Sequence, residues 1–235
     1  MIKGYINSLD GEIEDFYKFR NLVKSNKMYP GIKDMSEDEI KELAEIEYKN
    51  HREDLVAKWN EFNLLEDKVL KGISILEEIM DIKIEEDISF FVTLQAISPV
   101  WAAGKCFWPS YTISGEEYLE TSMHEISHFM WVDKWKKIDE SLKNDDFERP
   151  SKYWLGQELS VIALLNDERM MEIFDKEQMA YPGFYIKEVE GKTVSDHVKD
   201  IYIGRDDMED FMKKTIEFIS ENEETVLEAA NSIWE

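Results

Sequence analysis

A five-residue motif, His124-Glu125-Ile126-Ser127-His128, places two imidazoles and one carboxylate at the spacing of a zinc site. Residues four positions apart lie on the same face of a helix, so His124 and His128 can bind one cation. Glu125 then lies beside the coordination position that remains open, where a carboxylate can take a proton from an attacking water molecule. The motif therefore predicts a metal-dependent hydrolytic site.

The residues before the motif indicate that it lies on a helix. Ser114 and Glu117 form a capping box, which predicts a helix that begins near Glu116. An apolar stripe for the core follows at helical spacing: Leu119, Met123, Ile126 and Met130. The two histidines lie off that stripe, on the side of Thr121, as they would if this face lined a cleft. The alternative is that both are simply packed or solvated.

The third ligand is predicted on a later helix. A glycine and a histidine at positions 131 and 134 would define the longer form of the motif, but the chain has Trp131 and Lys134. Ser151 is a plausible helix cap, and Glu158 follows within an apolar stripe of Trp154, Val161, Ile162 and Leu165. A carboxylate on a buried face is costly unless it is paired or bound to metal. Glu158 is therefore the candidate ligand, unless the helix is rotated and Glu158 is solvated; the reserve candidates are Asp167, Glu168 and Glu172.

With these residues the chain resembles the gluzincin metallopeptidases, in which two motif histidines and a downstream glutamate hold one zinc ion. The resemblance covers residues 88–172 and implies that His124, His128 and Glu158 bind one Zn²⁺, with Glu125 as general base. Several such families place an aspartate four residues after the ligand glutamate, where this chain has Ile162. Support for the ligands must then come from elsewhere, for example from Asn166 or a backbone carbonyl.

The resemblance also implies a zincin-like fold of the α+β class, mostly helical. In such a fold a small sheet with an edge strand packs on the metal-binding helix, and helical lobes lie on both sides of a cleft. Residues 88–94 are rich in β-branched and aromatic side chains and predict a largely buried strand. Residues 105–108 and 111–113 read as a second extended stretch with a break at Pro109. Residues 101–113 resemble the substrate-binding edge strand in position; an aromatic core hairpin is the alternative.

Most of the remaining chain is predicted to be helical. One helix is expected over about residues 10–26, followed by a turn at Tyr29-Pro30-Gly31. A capping box of Ser36 and Glu39 opens a helical region that runs to about residue 80, with a break at residues 60–63. This region forms either a wall of the cleft or a scaffold. Residues 206–234 predict one long or two consecutive acidic helices, with Ser220 and Glu223 as a restart.

A peptidase of this type also needs a donor for the oxyanion that forms during carbonyl attack. Tyr181, Tyr185 and His197 are the candidates, since they lie between Glu158 and the C-terminal helices and two of them are in a turn-rich stretch. Packing or solvent exposure is the alternative for each.

Length and charge limit the remaining possibilities. A chain of 235 residues with 43% hydrophobic residues is expected to form a single catalytic domain, residues 1–235. Its parts would be N-terminal helices (1–85), the strands and motif helix (86–137), and a C-terminal helical lobe (150–235). The formal charge of −24 argues against binding to nucleic acid or anionic membranes. A lone cysteine, Cys106, and the lack of a leader or long apolar run favour a soluble cytoplasmic protein.

The sequence thus predicts a zinc-dependent metallopeptidase that acts on a peptide or protein substrate. Water activated by zinc would attack a peptide carbonyl while Glu125 accepts and returns the proton. The alternative is a non-catalytic protein on the same scaffold that binds a peptide or a partner and regulates it. A chance occurrence of the motif in a helical interaction protein is a third reading. The glutamate of the motif favours the enzyme, because a structural zinc site has no need of it.

Overall fold

A computed structural model describes residues 1–231 and shows a mostly helical α+β protein with a small, mixed, four-stranded sheet. The chain forms two compact units, the first from Met1–Leu70 and Glu86–Ser122, the second from Lys71–Glu85 and the residues from Met123 onward. Within residues 1–231, no helix has the length and apolarity needed to cross a membrane.

The helices and strands are bounded as follows. The strands are β1 (Ile2–Ile6), β2 (Ile88–Val92), β3 (Val100–Trp101), β4 (Cys106–Phe107), β5 (Glu188–Val189) and β6 (Lys192–Thr193). The helices are α1 (Leu9–Phe19), α2 (Val23–Met28), α3 (Glu37–Asn50), α4 (Arg52–Asn63), α5 (Glu66–Met80), α6 (Gly115–Ile138), α7 (Lys152–Leu164), α8 (Val194–Ile203), α9 (Met208–Glu221) and α10 (Glu223–Asn231). Short 3₁₀ turns occur in several of the connections.

The four-stranded sheet belongs to the first unit and has the order β1-β2-β4-β3. Strand β2 confirms the strand predicted over residues 88–94, and its side chains alternate between buried and half-buried, with Ile88, Phe90 and Val92 facing the core. Strand β1 pairs with β2 in parallel, from Ile2 opposite Ile88 to Ile6 opposite Val92. No pattern in the sequence predicted β1.

The segment 101–113 forms less strand than the sequence suggested. Strand β4 pairs in parallel with β2 and antiparallel with β3, which is one of the two edge strands of the sheet. Residues 111–113 lie in a turn, and only an isolated bridge joins Ser110 to Thr93. Phe107 is fully buried whereas Trp101 is exposed. Substrate binding by an edge strand stays a prediction.

Cys106 in β4 is half-buried. Its thiol donates a hydrogen bond to the Gly104 carbonyl over 3.0 Å, and burial raises the pKa of the thiol.

The helix predicted over residues 10–26 is two helices, α1 and α2. The side-chain amide of Asn26 donates hydrogen bonds to the carbonyls of Arg20 and Leu22, 2.8 and 3.2 Å away, where α1 has ended. A side chain that satisfies backbone groups in this way stabilises a local turn in place of a continuous helix. The prediction of one helix was therefore wrong.

The capping box of Ser36 and Glu39 is present, and α3 begins after it as predicted. The helical region extends through α4 and α5 to Met80. The predicted break at residues 60–63 coincides with the end of α4 at Asn63.

Several elements of the second unit also follow the sequence. Helix α7 begins after Ser151, whose hydroxyl accepts a hydrogen bond from the Trp154 amide over 3.0 Å. The C-terminal region forms two helices with a restart at Glu223, as predicted; α9 ends at Glu221, with Asn222 as its C-cap. Residues 232–234 of the predicted helix lie outside the described part of the chain. Helix α8 was not predicted.

Glu12 in α1 is a buried carboxyl group far from the metal motif in the sequence. It is inaccessible to solvent, and its two oxygens accept hydrogen bonds from the Thr93 hydroxyl (2.9 Å) and the Leu94 amide (3.1 Å). Burial raises the pKa of Glu12 to about 7, although these hydrogen bonds lower it. The folded protein therefore binds a proton at Glu12 more tightly than the unfolded chain does.

We expect Glu12 to make folding less favourable as pH rises. A group whose pKa is raised on folding loses its stabilising contribution between the unfolded value, 4.5, and the folded value, about 7. The free energy of unfolding should fall over this window by roughly 3 kcal/mol on account of this group and stay constant above it. In the Glu12→Gln variant this part of the pH dependence should vanish, as measured by urea unfolding at pH 5, 6, 7 and 8. The exposed Glu14→Gln variant is the matched control, and equal pH dependence in both variants would contradict the assignment.

Candidate metal centre

Three potential metal ligands converge within the second unit. Helix α6 supplies His124 and His128, helix α7 supplies Glu158, and the ligand atoms all lie within 4.8 Å of one another. The Nε2 atom of His124 is 3.5 Å from one oxygen of Glu158, and Nε2 of His128 is 3.7 Å from the other. The structure thus brings together the three residues that the sequence singled out as ligands.

The helix that carries the histidines begins as predicted. The backbone amide of Ser114 donates to the Glu117 carboxylate over 2.7 Å, and the amide of Glu117 donates to the Ser114 hydroxyl over 3.2 Å. These two bonds complete the capping box, and α6 starts at Gly115. The four predicted core residues of α6 are all buried: Leu119, Met123, Ile126 and Met130.

Close packing between α6 and α7 places Glu158 opposite the histidines. Gly156 lies two residues before Glu158, and a Cβ atom at this position would be 2.8 Å from the ring of Trp131 on α6. It would also be 2.8 Å from the side chain of Ile216 on α9. Only glycine therefore permits this close packing, which brings the carboxylate within reach of both imidazoles.

Helix α7 is buried around its whole circumference rather than along one stripe. Every residue from Trp154 to Leu164 is buried, and Glu158 is 6% exposed. The alternative of a rotated helix with a solvated Glu158 is therefore wrong. The side chain of His124 is 23% exposed, so solvent contacts the cluster at this residue.

The donor atoms fit a bound cation. One carboxylate oxygen of Glu158, Oε2, is buried; it lies 3.5 Å from Nε2 of His124 and makes no hydrogen bond of normal geometry among residues 1–231. A buried carboxylate oxygen without a donor is costly, and a cation removes that cost. Burial lowers the pKa of His128 to about 3, so its ring is neutral and offers a lone pair, as metal binding requires. Two imidazoles and one carboxylate could thus hold a metal ion.

Glu125, which the motif predicts to be a proton acceptor, lies beside His128. One of its oxygens lies 4.0 Å from Nε2 of His128, and its side chain is 11% exposed. Burial raises the pKa of Glu125 to about 8; His124 opposes this shift and Glu158 adds to it. For Glu158 burial also raises the pKa, but the attraction of His128 and His124 outweighs it and the net shift is downward. These pKa shifts apply to the protein without a bound cation. The positive charge of a cation would favour the ionised form of both carboxylates.

Of the three candidate oxyanion donors, the structure brings Tyr181 to the ligands. Its hydroxyl faces Glu158, and burial followed by the charges of Glu158 and Glu125 raises the pKa of Tyr181. The hydroxyl of Tyr185 accepts a hydrogen bond from the Ala180 amide over 3.1 Å.

The third candidate, His197 on α8, is engaged elsewhere in the second unit. Its Nε2 atom is 2.8 Å from the Val189 carbonyl oxygen. The imidazole also stacks on Phe218, with 4.9 Å between ring centroids. These contacts give the His197 ring a role in packing.

Each of the three reserve candidates for the third ligand either makes other contacts or is exposed. Asp167 caps a 3₁₀ turn, pairs with Arg169 at 2.7 Å and accepts a hydrogen bond from the Tyr202 hydroxyl at 2.6 Å. Glu172 forms an ion pair with Lys71 over 2.7 Å, and Glu168 is exposed.

Asn166, which was expected to support the metal ligands, makes its hydrogen bonds to other groups. Its side-chain amide donates to the carbonyls of Ile162 and Gln178, each over 2.8 Å, and its oxygen accepts from the Gln178 amide. Asn166 thus stabilises the turn after α7. The Nδ1 atom of His128 is buried without a hydrogen-bond partner within residues 1–231.

Sequence reasoning did not assign a functional role to two residues that lie beside Tyr181. The Trp154 ring centroid is 6.5 Å from that of Tyr181, and the guanidinium of Arg149 lies 5.1 Å from the Trp154 centroid. The spacing of four residues between Trp154 and Glu158 could have identified the tryptophan from the sequence. No pattern in the sequence marked the arginine.

No family model, curated protein or solved structure matches this chain. A proposal about function therefore rests on the residues of the candidate metal centre.

Proposed function

We propose that this protein is a zinc-dependent metallopeptidase of the gluzincin type with a zincin-like fold. The observation that carries the proposal is the convergence of His124, His128 and Glu158 with Glu125 beside them. Two imidazoles and one carboxylate form the ligand set that catalytic zinc uses while it keeps one position open. A buried glutamate next to such a set has the chemistry of a general base.

Each side chain has a distinct role in the proposed reaction. Zinc, when bound, supplies a Lewis acid that acidifies water and polarises a carbonyl group. Glu125 accepts a proton from the water that attacks the peptide carbonyl and transfers it to the departing amine. Tyr181, whose hydroxyl faces the ligands, donates a hydrogen bond to the oxyanion. Peptide hydrolysis then requires no other titratable group.

A non-catalytic, partner-binding protein on the same scaffold is the second candidate. A purely structural zinc site is usually closed by a fourth protein ligand. The cluster found within residues 1–231 has three ligands, and one of them, His124, is accessible to solvent. Three protein ligands would leave a fourth position for water on a bound zinc ion, and this, together with the nearby Glu125, favours the enzyme.

Metal content tests the proposal most directly. Elemental analysis of protein purified without a histidine tag or chelator is expected to give about one zinc per chain. The His124→Ala, His128→Ala double variant should contain none, because both imidazole ligands are removed. The chain has four histidines, so a His51→Ala, His197→Ala double variant is a matched control that should keep its zinc. Absence of metal in the parent protein, even after zinc is offered, would refute the enzyme and favour the non-catalytic alternative.

A further inference from the structure

A cavity of about 420 Å³ in the second unit is lined by side chains of α7 and α8. Ile162 and Ala163 line it from α7, and Lys199, Tyr202 and Ile203 line it from α8. The spacings of three and four residues place the three α8 side chains on one face of that helix. The described residues that line this cavity include none of the metal centre. A ligand bound here therefore needs no metal and does not depend on the peptidase function.

Two polar side chains in the cavity walls already have partners within the protein. The side-chain amide of Asn166 donates to the carbonyls of Ile162 and Gln178, and its oxygen accepts from the Gln178 amide. The Tyr202 hydroxyl donates to Asp167 over 2.6 Å. Both side chains are thus satisfied without a ligand. A molecule in the cavity would therefore gain most of its affinity by burying hydrocarbon.

Two large apolar side chains at this cavity are exposed to solvent. Met171 is 52% exposed and Ile203 is 80% exposed, although both line the cavity. Exposed apolar side chains around a concave apolar surface are typical of a site that binds a ligand. The volume favours a whole small molecule over one side chain of a protein partner. Sites for small molecules span about 300–1,000 Å³, whereas about 150 Å³ is enough for a benzene-sized group.

An ion pair supplies the charge at the cavity. The Nζ atom of Lys199 is 2.9 Å from a carboxylate oxygen of Glu177, and both residues line the cavity. The side chain of Lys199 is 37% exposed and that of Glu177 is 57% exposed, so the cation is the more buried partner. An ammonium group has three donors, so Lys199 can bind Glu177 and a second carboxylate together. The cavity therefore favours an anionic head group over a cationic one.

We propose that this cavity binds a medium-chain carboxylate. Its hydrocarbon chain would pack between α7 and α8, and its carboxylate would accept hydrogen bonds from Lys199. The apolar walls determine the chain, and the more buried cation determines the head group. An amine, an uncharged alcohol and a second copy of this protein are the competing occupants, and each gives a different result below.

Calorimetric titration of the full chain tests whether the cavity holds the hydrocarbon chain. The probes are hexanoate, octanoate and decanoate below their micellar concentrations. A chelator removes metal first, so that no carboxylate can bind zinc. Each step of two methylene groups is expected to tighten binding roughly tenfold until the cavity is full.

Two variants locate this binding. Ala163→Leu should abolish it, because the larger side chain fills the cavity from α7. Ile203→Asp should weaken it about tenfold, because the new carboxylate lies one turn from Lys199 and competes with the ligand. Ile203 is exposed, so this second variant keeps the fold. The matched control is Ile186→Asp, since Ile186 is 72% exposed and lies outside the cavity lining.

Head groups on one chain length test the role of Lys199. Octanoate is expected to bind about fivefold more tightly than octanol, and octylamine more weakly than octanol. Lys199→Met keeps the length of the side chain and removes its charge. It should remove the preference for octanoate and leave the binding of octanol unchanged. Lys213 on α9 is also paired with an acidic residue, Glu209, so Lys213→Met is the matched control and should keep the preference.

Three results would contradict the proposal. Binding that does not vary with chain length, or that persists unchanged in Ala163→Leu and Ile203→Asp, would show that the cavity is not the site. Tighter binding of octylamine than of octanoate would assign the head group to Glu177 and refute a carboxylate ligand. A dimer in analytical ultracentrifugation that Ile203→Asp dissociates and Ile186→Asp does not would show that a second copy covers the cavity. None of these measurements depends on zinc, so the peptidase proposal stands or falls separately.

Discussion

The Glu125→Gln variant is expected to bind zinc as the parent does and to lose peptide hydrolysis by about 10³-fold or more. Glutamine keeps the shape of the side chain but cannot accept a proton from water. None of the three proposed ligands is changed, so the metal content should remain near one zinc per chain. Elemental analysis and a peptide-library cleavage assay, applied to the same preparation, measure both quantities.

Glu116→Gln is the matched control for this variant, because it makes the same change at an exposed position on the same helix. It should retain full hydrolysis. Cleavage by Glu125→Gln at the rate of the parent would show that another group accepts the proton. It would leave the metal site intact and remove Glu125 from the proposed mechanism.

The Glu158→Ala variant is expected to bind zinc at least about 100-fold more weakly than the parent. Alanine removes the only carboxylate among the three converging donors, and two histidines alone leave a cation with too few protein ligands. Competition with a fluorescent zinc chelator measures the affinity. Hydrolysis should fall in parallel with zinc occupancy and recover partly at high zinc concentration.

Two other acidic residues provide controls for the third ligand. Glu168→Ala and Glu172→Ala remove carboxylates that lie further along the chain on exposed surfaces. Both variants should bind zinc as tightly as the parent protein. If Glu158→Ala did so too, the third ligand would have to be sought among other residues.

Local sequence signals were sufficient to predict the helices of the metal centre. Ser114 and Ser151 cap α6 and α7 where the pattern placed them, because a cap depends on residues three positions away. The burial of Glu158 followed from its apolar neighbours on the helix. The convergence of the ligands was inferred from the spacing in the motif together with a resemblance, and the structure shows these atoms together.

The features that sequence reasoning missed depend on distant parts of the chain. Strand β1 exists because it pairs with β2, more than eighty residues later, and its own five residues carry little periodic signal. The close packing at Gly156 depends on Trp131 and Ile216, which belong to two other helices.

The dense apolar packing around α6 and α7 has a consequence for how this protein would respond to its surroundings. Trp131, Phe129 and Leu159 are fully buried, so apolar burial stabilises the packing of α6 and α7 in the protein without a cation. A chain that folds in this way would already be folded when zinc is scarce. The activity of the proposed zinc peptidase would then follow the supply of free zinc within the time of a binding event, with no need for new synthesis or refolding.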